Sequence, residues 1–231
     1  MLARDWYYNE RNRIGLDTAV ATIHNSHDDD DLRARAALKM LGVKSGWRVA
    51  DIGCGNGVLA TEAALMGAEV DAVDISPAML ALAKIYARDR KAFIRTQSAG
   101  LLSFCYEPDS YDLIVSEFTL HRLPDFWKAV ALSRIYQALR PGANFYLRDI
   151  VYVSMPDGSE RDVGQWADFH IKNHDFSRES VVIHMRDEYS TFGWVMERML
   201  TDVGFALTSA DYHAPMHGTY LLRKPAAGEQ S

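Results

Sequence analysis

The stretch Val49-Ala50-Asp51-Ile52-Gly53-Cys54-Gly55-Asn56-Gly57 decides the fold, because a short apolar run leads here directly into three closely spaced glycines. Glycine has no Cβ, so such a turn lets backbone amides come close to a ligand. A helix that starts after the turn adds a positive N-terminal end, which favours a negative group. The stretch therefore predicts a ligand-binding strand–turn–helix unit. Dinucleotide enzymes use a similar turn, so the glycines alone leave the ligand open.

The sequence on either side of this turn alternates between short apolar runs and helix-like stretches. The predicted strands cover 47–52, 69–74, 92–96, 111–116 and 144–151, and the predicted helices cover 57–66, 77–89 and 126–139. Such alternation indicates βαβ units and a parallel sheet. Ser76 and Pro77 mark the start of the second of these helices, because serine caps helices and proline suits the first helical position. The predicted class is α/β, a single doubly wound, Rossmann-like sheet.

The length of 231 residues and a hydrophobic content of 48% indicate one domain. We expect an N-terminal helical cap over 1–45, a cofactor-binding core over 46–151, a lid or substrate insertion over 152–190, and a final helix with edge strands over 191–225. The insertion is expected because the polar, aromatic segment 154–186 is too long for an ordinary connection. A helix is predicted near 189–203, and strands at 205–212 and 218–223 are predicted to pair as a hairpin.

The composition of the chain argues against two kinds of binding partner, nucleic acids and membranes. The formal net charge is -6, and lysine and arginine are scattered, which argues against a nucleic-acid partner. No run approaches the roughly 18 apolar residues of a membrane span, so no membrane partner is expected. Cys54 and Cys105 lack CxxC spacing and are expected to be reduced thiols. A cytoplasmic protein is predicted, as a monomer or a homodimer.

Two acidic residues bear on the identity of the cofactor. Asp51 stands two residues before the first glycine, where a carboxylate would repel a pyrophosphate but attract an ammonium or sulfonium group. This favours S-adenosylmethionine (SAM) over NAD. Asp74 ends the next predicted strand, where a carboxylate can accept hydrogen bonds from both ribose hydroxyls. Ile75, beside it, is placed to pack on the adenine.

Four segments, VADIGCGNG, AVDISPAML, YDLIVSEFTLHRL and ALRPGANFYLRDIV, resemble in order and spacing the successive motifs of class I SAM-dependent methyltransferases. The resemblance covers residues 47–151. The later segments GFALTSADY and GTYLLRK are similar to the last two strands of that family, whose final strand runs antiparallel to the others. The fold implied is therefore a mostly parallel sheet with an antiparallel last strand. The region from Glu188 to Phe205 also resembles small bacterial methyltransferases of uncertain substrate.

This resemblance implies a set of cofactor-binding residues. Asp51, Gly53 and Gly55 would hold the methionine part of SAM, Asp74 the ribose and Ile75 the adenine. The set is completed by Cys54, Ser98 and Ala99. Ser98 stands where the family usually has an acidic residue that contacts the adenine amino group, and a hydroxyl or a backbone carbonyl can accept the same bond.

Methyl transfer requires mainly that the acceptor is aligned with the carbon–sulfur bond and that water is excluded. The candidate catalytic residues are His121 after the fourth strand, Tyr8 beside Tyr7 near the N-terminus, and His170 in the insertion. Each has a plainer interpretation: His121 as packing over the cofactor, and the tyrosines as part of a packed cap. His170 and His174 are one helical turn apart, but spacing indicates no third ligand, so no metal site is predicted.

The predicted reaction transfers the methyl group of SAM to O, N, S or C of a small-molecule metabolite and releases S-adenosylhomocysteine. The segment Ser116-Glu117-Phe118-Thr119 differs from the Asn/Asp-Pro-Pro-aromatic sequence of methyltransferases that act on amino groups of nucleic-acid bases. Two alternatives stay open: a non-catalytic protein that binds SAM or S-adenosylhomocysteine, and an enzyme that uses SAM for another reaction. NAD-linked redox chemistry is disfavoured by Asp51.

Overall fold

The computed structural model describes residues 27–173, 177–213, 216–226 and 228–229. Tyr7, Tyr8 and His174 lie outside these described residues, as do residues 1–26 of the expected N-terminal cap. Helix α1 (His27–Met40) lies in the rest of that segment and opens at the acidic run Asp28 to Asp31.

The strands form one mixed sheet. They are β1 (Arg48–Ile52), β2 (Glu69–Asp74), β3 (Arg95–Ser98), β4 (Tyr111–Glu117), β5 (Leu139–Tyr152), β6 (Thr191–Phe192), β7 (Ala206–His213) and β8 (His217–Arg223). Their order is β3-β2-β1-β4-β5-β8-β7, with β6 paired to β5 off this path. β1 to β6 pair in parallel, and β8 pairs antiparallel to both β5 and β7. The predicted mostly parallel sheet with an antiparallel last strand is confirmed.

Helices connect and cover the strands. After α1 come α2 (Val58–Leu65), α3 (Pro77–Asp89), α4 (Asp125–Ala138), α5 (Ser159–Asn173), α6 (Arg178–Asp187) and α7 (Gly193–Val203). The predicted cap of α3 is confirmed, because Ser76 Oγ accepts a hydrogen bond from the Met79 amide at 3.3 Å. Short 3-10 turns lie at Leu120–Arg122 and Pro156–Gly158.

Side chains alternate across the sheet and build a core on each face. In β1, Val49 belongs to a cluster with α1, α2 and α3, whereas Ala50 belongs to a cluster with α4 and α7. Both residues are fully buried. A sheet that is covered on both faces explains why its central strands are almost continuously apolar.

The expected insertion is built from α5 and α6. Its small core contains Trp166 from α5 and Val181 from α6, packed with Ile150 of β5 and Met216 of the β7–β8 turn. The insertion therefore lies near the carboxyl end of β5, on the same edge of the sheet as the glycine turn.

Three predicted boundaries were wrong. The third strand begins at Arg95 because Lys91 and Ala92 still close the end of α3, where Ala92 donates to the Ala87 carbonyl at 2.9 Å. β5 begins at Leu139, directly after α4, because Leu139 already pairs with Tyr111. The helix predicted near 189–203 begins at Gly193, since the two preceding residues form β6 against β5.

Candidate functional site

The site lies where the strand order reverses. β1 has β2 on one side and β4 on the other, and open α/β sheets bind ligands beyond the carboxyl ends of the strands at such a point. The three glycines after β1 all adopt the left-handed region, with φ of +82° at Gly53, +53° at Gly55 and +79° at Gly57. This backbone path is what glycine permits and other residues resist.

Neighbouring elements also press closely on this turn. A Cβ at Gly53 would lie 2.0 Å from Thr119 Oγ1, and a Cβ at Gly57 would lie 2.6 Å from Ala83 Cβ. At Gly55 a Cβ would meet nothing within 4 Å. The first and third glycines therefore allow tight packing against the β4 loop and α3, while the middle glycine faces open space.

Asp74 holds the glycine turn in place. One of its carboxylate oxygens accepts a hydrogen bond from the Gly55 amide at 3.0 Å, and the other accepts one from the Ser76 amide at 2.8 Å. Burial raises the pKa of this carboxyl above its ordinary value, although these backbone bonds oppose the shift. A carboxylate has about four lone-pair sites, so the two backbone bonds leave capacity for further donors.

Asp51 is buried with one oxygen unsatisfied. Its Oδ2 has no hydrogen-bond partner among the described residues. Burial, and then the negative charges of Glu117 and Asp74, raise its pKa to about 8. An acidic group in these surroundings is suited to a cationic partner. The ammonium and sulfonium groups of SAM fit that requirement, and a pyrophosphate does not.

The other predicted cofactor residues lie around the same turn. Cys54 is buried, and its amide donates to the Val73 carbonyl at 3.0 Å. Burial raises the pKa of its thiol well above the usual range, which suits a small packing residue better than a nucleophile. Ser98 pairs with Asp74 in the sheet, Ala99 donates to the Asp74 carbonyl at 3.1 Å, and Ile75 is half-buried beside them.

His121 lies across the same sheet edge, in the 3-10 turn after β4, and carboxylates bracket its ring. Nδ1 contacts Asp149 of β5, and Nε2 lies 2.9 Å from a carboxylate oxygen of Glu188. Burial lowers the pKa of His121, but Asp149 and Glu188 outweigh that effect and raise the pKa above its ordinary value. The second candidate base, His170, lies on α5 with its ring centroid 4.5 Å from that of Trp166.

Three polar residues on this side were not predicted from the sequence. Asp149 binds both the backbone amide and the ring of His121, and Glu188 also contacts His184 Nδ1 at 2.6 Å. The spacing of His184 and Glu188, four residues apart at the end of a helix, was a signal that could have paired them. Nothing local connects either residue to His121.

The strand order of the sheet, together with a glycine turn that lies beside Asp51 and Asp74, defines a Rossmann-like α/β domain of the methyltransferase type. The family model described as a methyltransferase domain matches residues 49–142. Residues 49–142 therefore form a domain of the class I SAM-dependent methyltransferase type.

Individual proteins that are similar to this chain in sequence are also methyltransferases. The chain is 27% identical over 125 residues to a ubiquinone biosynthesis O-methyltransferase of Pseudomonas savastanoi pv. phaseolicola, covering 54% of this chain and 53% of that protein. It is 30% identical over 129 residues to the 27-O-demethylrifamycin SV methyltransferase of Amycolatopsis mediterranei, covering 53% and 46%. The chain thus spans about half the length of the curated relatives it matches.

A solved structure shares the fold. A SAM-dependent methyltransferase from Aquifex aeolicus superposes with a TM-score of 0.64 at 16% identity, covering 90% of this chain and 97% of that one. Across the described part of the chain, no helix combines the length and apolar character needed to cross a membrane.

Proposed function

We propose that this protein transfers the methyl group of SAM to a small-molecule acceptor by in-line displacement and releases S-adenosylhomocysteine. The observation that carries the proposal is the buried Asp51 carboxylate, which has an unpartnered oxygen beside a three-glycine turn at the switch point of the sheet. The sulfonium already activates the methyl group. The residues of this chain therefore have to bind the cofactor, align the acceptor and exclude water.

In this proposal Asp51 pairs with the ammonium group of SAM, and Gly53, Cys54 and Gly55 line the methionine end. Asp74 accepts from the ribose hydroxyls while it keeps its two backbone bonds. The adenine packs on Ile75, with Ser98 and Ala99 at its rim.

The acceptor is proposed to bind between His121 and the α5–α6 insertion, since both lie beyond the carboxyl ends of β4 and β5. The two named relatives are O-methyltransferases, which favours an oxygen acceptor. His121 is proposed to take up a proton from the acceptor through Nε2. This requires either that Glu188 moves away from Nε2 or that Glu188 accepts the proton from it. Tyr8 and His170 stay further candidates for the acceptor side.

The net charge of -6 favours a small metabolite over a nucleic acid as acceptor. A cytoplasmic location and a monomeric or homodimeric state stay predictions. A test of oligomeric state is sedimentation of the full chain with and without cofactor.

Calorimetric titration of the full chain with SAM, S-adenosylhomocysteine and NAD tests the cofactor site. We expect both adenosyl ligands to bind and NAD not to bind. Asp74→Asn should weaken SAM by about 1.5–3 kcal/mol, the range for a hydrogen bond to a charged group. Unchanged SAM affinity in a folded Asp74→Asn protein would remove Asp74 from the site, and absence of adenosyl binding would overturn the proposal.

A second readout tests the role of Asp51 directly. At pH 6.5 the free protein carries a protonated Asp51, because its pKa is about 8. An ion pair with the SAM ammonium requires the carboxylate, so binding should release close to one proton. Titrations in two buffers of different ionisation enthalpy measure this number. Asp51→Asn should abolish the release, and an equal release in that variant would contradict the pairing.

Transfer of labelled methyl to a panel of hydroxylated, amino and thiol metabolites then tests catalysis. His121→Ala should lower turnover more than SAM affinity, whereas equal loss of both would indicate a packing role. Tight binding of SAM without transfer to any acceptor would favour the non-catalytic alternative, and consumption of SAM without methylated product would favour another SAM reaction.

A further inference from the structure

Three potential metal ligands converge at one buried point of the acceptor side. They are one ring nitrogen each of His121 and His184 and one carboxylate oxygen of Glu188, and all three atoms lie within 4.8 Å of one another. Both histidines are buried, and the Glu188 side chain is 16% exposed. The three residues come from the 3-10 turn after β4, from α6 and from the residue that follows α6.

Neighbouring side chains fix the orientation of the two histidine rings, as is usual for histidines that bind metals. Asp149 contacts His121 Nδ1, so Nε2 is the nitrogen that points to Glu188. A carboxylate on the far nitrogen of a metal-binding histidine fixes the ring and raises its basicity. The His184 ring stacks on Trp166 with centroids 4.4 Å apart, which fixes a second ligand.

A second observation concerns the carboxylate oxygen at the centre of this group. Glu188 Oε2 faces both ring nitrogens and is buried, yet it accepts no hydrogen bond of normal geometry from the described residues. The carboxylates of Asp149 and Glu188 lie on either side of the His121 ring. Arg122 contacts Glu188 at Oε1, at 3.1 Å, and not at the oxygen that faces the ring. Buried carboxylates need compensating positive charge, which a divalent ion at this point would supply.

We propose that His121 Nε2, His184 Nδ1 and the Glu188 carboxylate bind one divalent transition-metal ion of the Zn²⁺ class. Imidazole nitrogen with one carboxylate is a ligand set that such ions use, and three protein ligands leave a coordination position open. The inference does not depend on methyl transfer, because it concerns only these three side chains.

The present spacing is close to what such an ion requires. Metal–ligand bonds of about 2.0–2.2 Å in a tetrahedral site place the ligand atoms about 3.3–3.5 Å apart. Glu188 now lies 2.9 Å from His121 and 2.6 Å from His184, so it would move outward by less than about 1 Å. Glu188 follows the end of α6, where such a movement does not break a helix.

An ion at this point would have two consequences. It would join the α5–α6 insertion to the β4 edge, and its open coordination position could take a further oxygen or nitrogen ligand. A metal on Nε2 would also remove the lone pair that a base needs. In the metal-bound form His121 would serve as a ligand, and the role proposed above for its Nε2 would apply only to the metal-free form.

The test uses the full chain, stripped with a chelator and then titrated with Zn²⁺, with bound metal measured after gel filtration. The wild type should bind about one Zn²⁺ per chain. Glu188→Gln keeps the shape of the side chain but removes its charge, and His184→Ala removes one ligand. Each should weaken Zn²⁺ binding by at least about tenfold, the loss that even supporting residues of metal sites cause.

The matched control is His213→Ala, which removes an exposed histidine of β7 that is not one of the three ligands. Replacement with Co²⁺ adds a spectroscopic readout, since its visible absorption reports coordination by protein ligands and should disappear in Glu188→Gln. Absence of stoichiometric binding by the wild type would overturn the proposal, as would wild-type affinity in both ligand variants. SAM titration of the same samples keeps this result separate from the cofactor site.

Discussion

Asp51 is a carboxyl group that the fold buries beside two other acidic residues. Its pKa of about 8 in the folded protein lies above the value of about 4 expected in the unfolded chain. The folded state therefore holds this proton more tightly, and the free energy of unfolding should fall as the pH rises from about 4 to about 8.

Asp51→Asn should remove this pH dependence, because an amide does not ionise. At pH 8 the variant should be more stable than the wild type by on the order of 5 kcal/mol, with little difference at pH 4. Urea unfolding of both proteins at several pH values measures the effect. If the two proteins show the same dependence between pH 4 and pH 8, Asp51 is not the group responsible.

Gly53 is a second residue at which contact with one side chain, that of Thr119, should determine how much a substitution lowers stability. Gly53→Ala would place a Cβ against Thr119 at a positive φ, whereas Gly142→Ala has a similar φ of +85° but meets nothing within 4 Å. The two variants share the backbone strain and differ in the clash. Gly53→Ala should therefore cost about 1–3 kcal/mol more than Gly142→Ala in thermal or urea unfolding. Equal losses would show that Thr119 moves aside freely.

At the scale of elements, the α5–α6 insertion has its own small core, in which Trp166 is 1% exposed. Trp166→Ala should destabilise this unit by about 3–5 kcal/mol, the usual cost of a large aromatic truncation. Phe169→Ala, on the same helix at a 39% exposed position, is the matched control.

Hydrogen exchange measures the effect of Trp166→Ala locally. Exchange should accelerate across 159–173 and 177–187 while β1, β2 and β4 stay protected, because the insertion shares few buried side chains with the two main cores. SAM affinity should change little. Equal acceleration throughout the sheet would mean that the insertion and the core open together.

The whole molecule depends on two cores that share one sheet. Leu38 of α1 and Leu200 of α7 are both fully buried, on opposite faces. Replacement of either with alanine should cost about 2–5 kcal/mol and shift one common unfolding transition. Calorimetry and circular dichroism at two wavelengths test this. A separate early transition in Leu38→Ala would show that α1 folds independently of the sheet.

Much of the architecture could be predicted because its signals are local. The apolar runs, the cap at Ser76 and the three glycines each depend on neighbours within a few residues, and the structure confirms the order of strands and helices that they predicted. Two of the three wrong boundaries lie where a long-range pairing extended or shortened an element, at Leu139 beside Tyr111 and at β6 beside β5.

The sequence by itself determined the α/β class, the family motifs and the position of Asp51 and Asp74 at the ends of adjacent strands, because strand order in a βαβ unit brings such residues together. Only the tertiary structure decided that Asp51 keeps an unpartnered oxygen and that His121, Asp149, His184 and Glu188 meet. His121 and Asp149 lie in the turn after β4 and in β5, whereas His184 and Glu188 lie at the end of α6, and the contact between the two pairs depends on how the insertion packs over β5. No local pattern encodes that packing.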